Sequence, residues 1–163
     1  MGIEKKKYEI VVHEYASLSD LPENDRSLVQ AAMEATKNAW APYSEFRVGA
    51  AAETEHGKII TGNNRENAAF PSGSCAERTV LSYTGANYPD QKIRAIAIAA
   101  TTGGKFTSRP VSPCGNCRQL ISEEEDRTGS PIRIILYGRS GIAVLDGVSA
   151  LLPLRFSNSN LKG

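Results

Sequence analysis

Cysteine and histidine are scarce in this chain, and charge of neither sign dominates it. Three cysteines and two histidines occur among 163 residues, and 19 Lys and Arg stand against 18 Asp and Glu, a formal net charge of +1. An odd, small cysteine count without an export leader argues against a disulfide framework. The even charge balance gives no basic face, the feature on which nucleic-acid binding depends. Lys5-Lys6-Lys7 is a basic run, but at the terminus it reads as a solvated end. No apolar run approaches the roughly 20 residues of a membrane span. The N-terminus lacks the apolar stretch and small-residue cleavage site of a secretory signal. The expectation is a cytoplasmic chain with reduced cysteines and neither a nucleic-acid nor a membrane partner. No internal repeat, low-complexity tract or linker divides it, so a single domain over residues 1–163 is expected.

What is present reads as strands alternating with helices. Residues 1–25 form an N-terminal extension with a possible added strand in Tyr8 to Tyr15. From Arg26, Leu28, Ala31, Ala32, Ala35 and Ala39 recur at helical spacing until Pro42 forbids continuation. Arg47 to Glu53 alternates as a strand, and a turn at Glu55–Lys58 leads to a partner at Ile59 to Thr61. A helix is expected from Cys75 toward Gly85, with Ser74 as its cap. Ile93 to Ala100 reads as a buried strand. Ser112-Pro113 looks like a cap followed by proline at the first helical position, starting a helix at Cys114. Ile132 to Tyr137 and Ile142 to Leu145 are strands, and a short helix covers Val148 to Leu152. The fold class is α/β, one central sheet covered by helices.

On this reading Cys75, Cys114 and Cys117 all fall at the first turns of two helices. Unpaired amides and the positive end of the helix dipole favour thiolate there. Cys114 and Cys117, three apart, share a helical face and can grip one ion with Cys75 as a third ligand. Three protein ligands and an open position is the catalytic zinc pattern, whereas structural zinc takes four. Glu77, two residues beyond Cys75, is placed to move protons beside the metal. Cys75-Ala76-Glu77 together with Pro113-Cys114-Gly115-Asn116-Cys117 has the spacing described for zinc deaminases.

From about Arg26 to Phe156 the sequence resembles the small, homotetrameric, three-cysteine cytidine deaminases. The resemblance is carried by Ala41-Pro42-Tyr43-Ser44 through Phe46 to Val48-Gly49-Ala50, by Asn64 to Arg78, by Pro113 to Gln119 and by Leu151-Leu152-Pro153. It implies a three-layer α/β/α fold around a mixed sheet and one Zn²⁺ per chain on Cys75, Cys114 and Cys117. It implies hydrolytic deamination of cytidine and deoxycytidine in pyrimidine salvage, with Glu77 as the catalytic proton shuttle. Phe46 would pack against the pyrimidine, Asn64 and Glu66 would hydrogen-bond the ribose hydroxyls, and Ala76 would also bind substrate. Arg78 would sit behind the thiolates and offset their charge. Ala68 and Phe70 would reach the pocket of a neighbouring subunit, so the resemblance also implies a homo-oligomer, a tetramer with shared active sites.

Other readings compete at single motifs. Cys114-Gly115-Asn116-Cys117 alone suits a redox dithiol, and a structural zinc site would need His13 or His56 as a fourth ligand. Relatives acting on cytosine-containing antibiotics share the three cysteines but depart around Asn64 to Phe70. Gly62-Asn63-Asn64 alone suits a turn.

Overall fold

Alternating isoleucine and alanine in one strand organises the molecule. The computed structural model describes residues 2–161, so residues 1, 162 and 163 of the expected 1–163 domain lie outside the described residues. Strand β4 (Ile93–Thr102) turns Ala95, Ala97 and Ala99 to one face and Ile96 and Ile98 to the other, all of them buried. A strand apolar on both sides belongs inside a covered sheet. Here β4 lies between β2 (Arg47–Thr54), antiparallel to it, and β6 (Arg133–Gly138), parallel to it. Strand β3 (Ile59–Asn63) extends the sheet beyond β2, and β7 (Gly141–Leu145) and β1 (His13–Tyr15) extend it beyond β6. A two-residue strand, β5 (Lys105–Phe106), folds back on the end of β4.

The two faces carry different helices. Helix α1 (Glu23–Ala35) packs Leu28, Val29 and Ala32 on the alanine face. Helices α2 (Ala76–Asn87) and α3 (Gly115–Thr128) pack Ala76, Val80, Leu81 and Ile121 on the isoleucine face. The result is the expected three-layer α/β/α arrangement around a mixed sheet. Small residues set how near the helices come. A Cβ on Gly49 would fall 2.1 Å from the Ala32 carbonyl oxygen, so α1 rests on bare backbone there. A Cβ on Gly62 would stand 3.0 Å from both the Ala76 carbonyl and the Val80 amide, so α2 lies almost as close to β3. In the first turn of α1, buried Asp25 bonds Arg133 at 2.9 Å and lies 3.8 Å from Arg94, which also pairs with Glu53. That network ties α1 to three strands, and none of these residues lines the main cleft.

Several boundaries differ from expectation. The N-terminal strand covers only His13–Tyr15, because pairing with β7 ends at the His13–Val144 register. Helix α1 begins at Glu23, where Glu23 and Asp25 place acids in the first turn, favourable to the helix dipole. Ala39 is buried but lies beyond the helix, after a 3₁₀ turn at Thr36–Asn38. Ser74 and Ser112 are not caps. Cys75 (φ −73°, ψ 156°) and Cys114 (φ −67°, ψ 168°) take the extended cap conformation themselves, which moves Pro113 outside the helix. Val148–Ala150 is a single 3₁₀ turn.

Helix α2 lies over β2 and β3 and meets α3, and the sulfurs at their N-termini come together. The Gly62 contact is what sets α2 at its height. Gly62→Val should press on the first turns of α2 and cost about 1–3 kcal/mol of stability. It should also lower metal content. Urea denaturation and metal analysis test this, and unaltered values for both would remove the close approach as a constraint.

Candidate active site and metal centre

The caps of α2 and α3 hold two of the three cysteines. The carbonyls of Cys75 and Cys114 accept the first helical bonds, from the Thr79 amide at 3.0 Å and the Arg118 amide at 2.9 Å. Neither sulfur closes a cap hydrogen bond. Cys117, in the first turn of α3, is buried and faces them. All three sulfurs lie within 4.8 Å of one another. Tetrahedral zinc with Zn–S near 2.3 Å would set them about 3.8 Å apart, so small side-chain rotations close the set. Among the described residues no fourth ligand joins the cluster. His13 instead meets Asp146 at 3.1 Å, and His56 sits in the exposed β2–β3 turn. The donor set therefore fits zinc in the three-ligand, open form.

Ionising the three thiols together would call for a cation. Burial pushes the thiols of Cys75 and Cys117 up, and the charges of Glu77 and the other cysteines add to the shift. Burial opposes ionisation of Cys114 too, yet the nearby Cys117 amide and thiol and the Asn116 amide bring its thiol below its ordinary value. Glu77 is 5% exposed, and burial raises its carboxyl above the ordinary range. A carboxyl raised in this way holds and releases a proton nearer neutrality, as general acid–base work requires.

Cys75, Glu77 and Cys114 line a cleft of about 720 Å³, and Cys117 is buried beside them without lining it. Phe46, Val48, Ile98 and Val111 give it apolar walls, and Ala76, Asn64 and Glu66 also line it. The backbone of Arg65 pairs with Ser74 in both directions at 2.9 Å, which sets Asn64 and Glu66 beside Cys75. Phe70 stands at the rim, 78% exposed and edge-on to Tyr43 with ring centroids 6.2 Å apart. Ala68 is exposed and does not line the cleft of its own chain. Arg78 is half-buried on α2 and is not a lining residue either.

Asn64 and Glu66 have structural partners that their sequence positions did not disclose. The Asn64 side chain accepts from the Val48 amide at 2.8 Å and donates to the Phe46 carbonyl at 2.9 Å, bridging the start of β2. The Glu66 carboxylate accepts from the Tyr43 amide at 2.8 Å, from the Ser44 amide at 3.3 Å and from the Ser44 hydroxyl. Ser44 in turn accepts from the Phe46 amide at 3.0 Å. Together they hold a turn in which Glu45 has a left-handed φ of 56°, a conformation unfavourable to a residue with a side chain. Sequence reasoning gave Ser44 no role. Its only signal was a hydroxyl in the motif preceding Phe46, since its partner lies 22 residues away.

The Ser44 hydroxyl foremost, then the Tyr43 amide, hold the Glu66 carboxyl below its ordinary value of 4.5. A depressed carboxyl stabilises its surroundings above the unfolded value and loses that effect as pH falls through the folded one. The turn should therefore be fully held above about pH 4.5 and loosen below it. Trp40, the single tryptophan, reports on this because its carbonyl accepts from the Glu66 amide at 2.8 Å. Its fluorescence should show an acid transition that Glu66→Gln lacks. Identical titrations of the two proteins would mean that the carboxylate does not hold the turn.

Known proteins share this arrangement. Residues 22–128 match the family described as the cytidine and deoxycytidylate deaminase zinc-binding region. A cytidine deaminase of Halalkalibacterium halodurans is 42% identical over 134 residues, covering 82% of this chain and 95% of that protein. A probable cytidine deaminase of Dictyostelium discoideum is 41% identical over 134 residues, covering 82% and 84%. The crystal structure of cytidine deaminase from Burkholderia pseudomallei aligns with TM-score 0.66 and 36% identity, over 80% of this chain and 97% of that one. That from Mycobacterium leprae aligns with TM-score 0.62 and 32% identity, over 81% and 99%. With its cysteines gathered as that family's zinc chemistry requires, the chain belongs to the cytidine and deoxycytidylate deaminase zinc-binding family.

Proposed function

We propose that this protein hydrolyses cytidine and deoxycytidine to uridine and deoxyuridine, releasing ammonia. The observation that carries the reading is the buried Glu77 carboxyl beside three clustered cysteine sulfurs in an apolar cleft of nucleoside-accommodating size. Zinc, when bound by Cys75, Cys114 and Cys117, supplies the Lewis acidity that makes water nucleophilic near neutral pH. Glu77 takes a proton from the attacking water and places it on the ring nitrogen beside C4, which makes that carbon electrophilic. It then passes a proton to the amino group, which departs as ammonia. Arg78 is the proposed offset to thiolate charge.

Phe46 packs against the pyrimidine and Ala76 borders it. Asn64 and Glu66 are assigned the ribose hydroxyls. Asn64 keeps one free N–H and Glu66 keeps free lone pairs, so both can serve the sugar while holding the Phe46 turn. The setting is pyrimidine salvage in the cytoplasm, in a single domain over 1–163. Among the described residues no helix is long and apolar enough to cross a membrane.

Assembly completes the site. Trp40, Tyr43 and Phe70 are 55%, 57% and 78% exposed, an arrangement of aromatics that favours cover by another surface. A homotetramer, in which Ala68 and Phe70 of one subunit close a neighbour's cleft, supplies that cover.

Ammonia release should be rapid with cytidine and deoxycytidine, and Glu77→Gln should keep zinc while losing about 10²–10⁴-fold or more in turnover. Turnover within a few-fold of wild type would remove Glu77 from the mechanism. Phe70→Asp should weaken assembly and raise KM together. Mixed with Glu77→Gln chains it should regain activity, because hybrids contain an intact Glu77 beside an intact Phe70 of the other chain. A fully active monomer by light scattering would end the shared-site reading and leave the zinc chemistry standing.

A further inference from the structure

The segment bearing Cys114 has few internal supports. Residues 110–114 form no helix or strand, and Pro113 has no amide to donate. We propose that Arg118 is a positioning residue for the metal centre, fastening the Cys114 turn to the C-terminal segment by one guanidinium shared between the Pro113 and Leu151 carbonyls. Its Nε donates to the Pro113 oxygen at 2.9 Å and its Nη1 to the Leu151 oxygen at 2.8 Å. The side chain thus reaches from the residue after the Cys117 ligand to the residue before the Cys114 ligand.

Leu151 is a firm anchor. Its amide donates to the Val148 carbonyl at 2.8 Å, and the Val148 amide donates to buried Glu125 of α3 at 2.9 Å. Glu125 also accepts from the Ile132 amide at 2.9 Å, which adds the entry to β6. Gln119 donates to the Phe156 carbonyl at 2.8 Å, and Arg155 meets Asp126 at 2.8 Å. The connection forms a closed ring: α3 holds Val148 through Glu125, the turn at Val148 holds Leu151, and Leu151 and Pro113 share Arg118. The C-terminal segment therefore acts on the site without lining the cleft. Only a planar fork with several fixed donors spans two carbonyls in this way, and a lysine ammonium does not reproduce it.

The proposal rests on the zinc site of the functional reading and not on the substrate. Zinc affinity of the purified chain, by competition with a chromogenic chelator, tests it alongside urea denaturation of the metal-free form. Arg118→Ala should bind zinc about 10–100-fold more weakly, the range expected for loss of an outer partner of metal ligands. Arg118→Lys should recover little of that loss and stay about tenfold or more weaker than wild type, because an ammonium does not span both carbonyls. A folded Arg118→Ala chain with affinity within about threefold of wild type overturns the proposal, even if its urea midpoint falls, because that is how a merely structural arginine behaves. Should Arg118→Ala not fold, Arg118→Lys decides by the same threshold. A wild-type chain that binds no zinc ends the functional reading and this proposal together, whereas zinc-binding wild type with unaltered variants ends this proposal alone.

Discussion

The site depends on how closely the backbone of α2 approaches β3. Gly62 has no side chain to hold the helix off, and the Ala76 carbonyl and Val80 amide come as near to it as a Cβ would tolerate. That contact fixes the height of Cys75 and Glu77 above the sheet, since both lie within the cap and first turn of the same helix. The parallel β4–β6 pair then dictates where α3 must begin, and Cys114 and Cys117 arrive beside Cys75 from the other side. A metal centre shared between two helices is only as well defined as their relative position. Here bare backbone and a β-α-β connection determine that position.

Gathering these groups creates an electrostatic problem that shapes the chemistry. Three sulfurs and a carboxyl share a partly buried volume, where ionised forms repel each other and lose solvation. The helix amides relieve this only at Cys114. A dication would relieve it for all three sulfurs, while Glu77 is buried on the cleft wall beside them. The proposed ligands and the proposed proton carrier are thus separated by environment: the sulfurs cluster as an ion would need, and the carboxyl lines the cleft.

Local chemistry was the legible part of the sequence. Cysteine spacing, the Glu77 offset, helical periodicity from Leu28 and the apolar run at Ile93 all act within a few residues, and each led to an element or a cluster. Helix starts were less legible. Ser74 and Ser112 matched the usual caps, but Cys75 and Cys114 themselves take the extended backbone. Nothing local shows that Glu66 must hold Ser44, or that Asn64 must bridge Phe46 and Val48, because those pairs form only once β2 and β3 meet. Tyr8 to Val12 had strand-like composition without a partner strand, so only His13–Tyr15 joined the sheet.

The double employment of Asn64 and Glu66 has a consequence for substrate discrimination. Both polar side chains proposed to meet the sugar also hold the turn that carries Phe46, the residue proposed to meet the base. A sugar hydroxyl that engages the Glu66 carboxylate must share it with the Ser44 hydroxyl and the Tyr43 amide, and their geometry is coupled to the strained Glu45 backbone. Sugar contacts and base stacking are therefore not independent sums, since perturbing one moves the other. A base lacking its sugar would meet a Phe46 wall held only by protein partners. A complete nucleoside would tighten the same turn from within, and binding energy remote from C4 would then improve alignment at C4 itself.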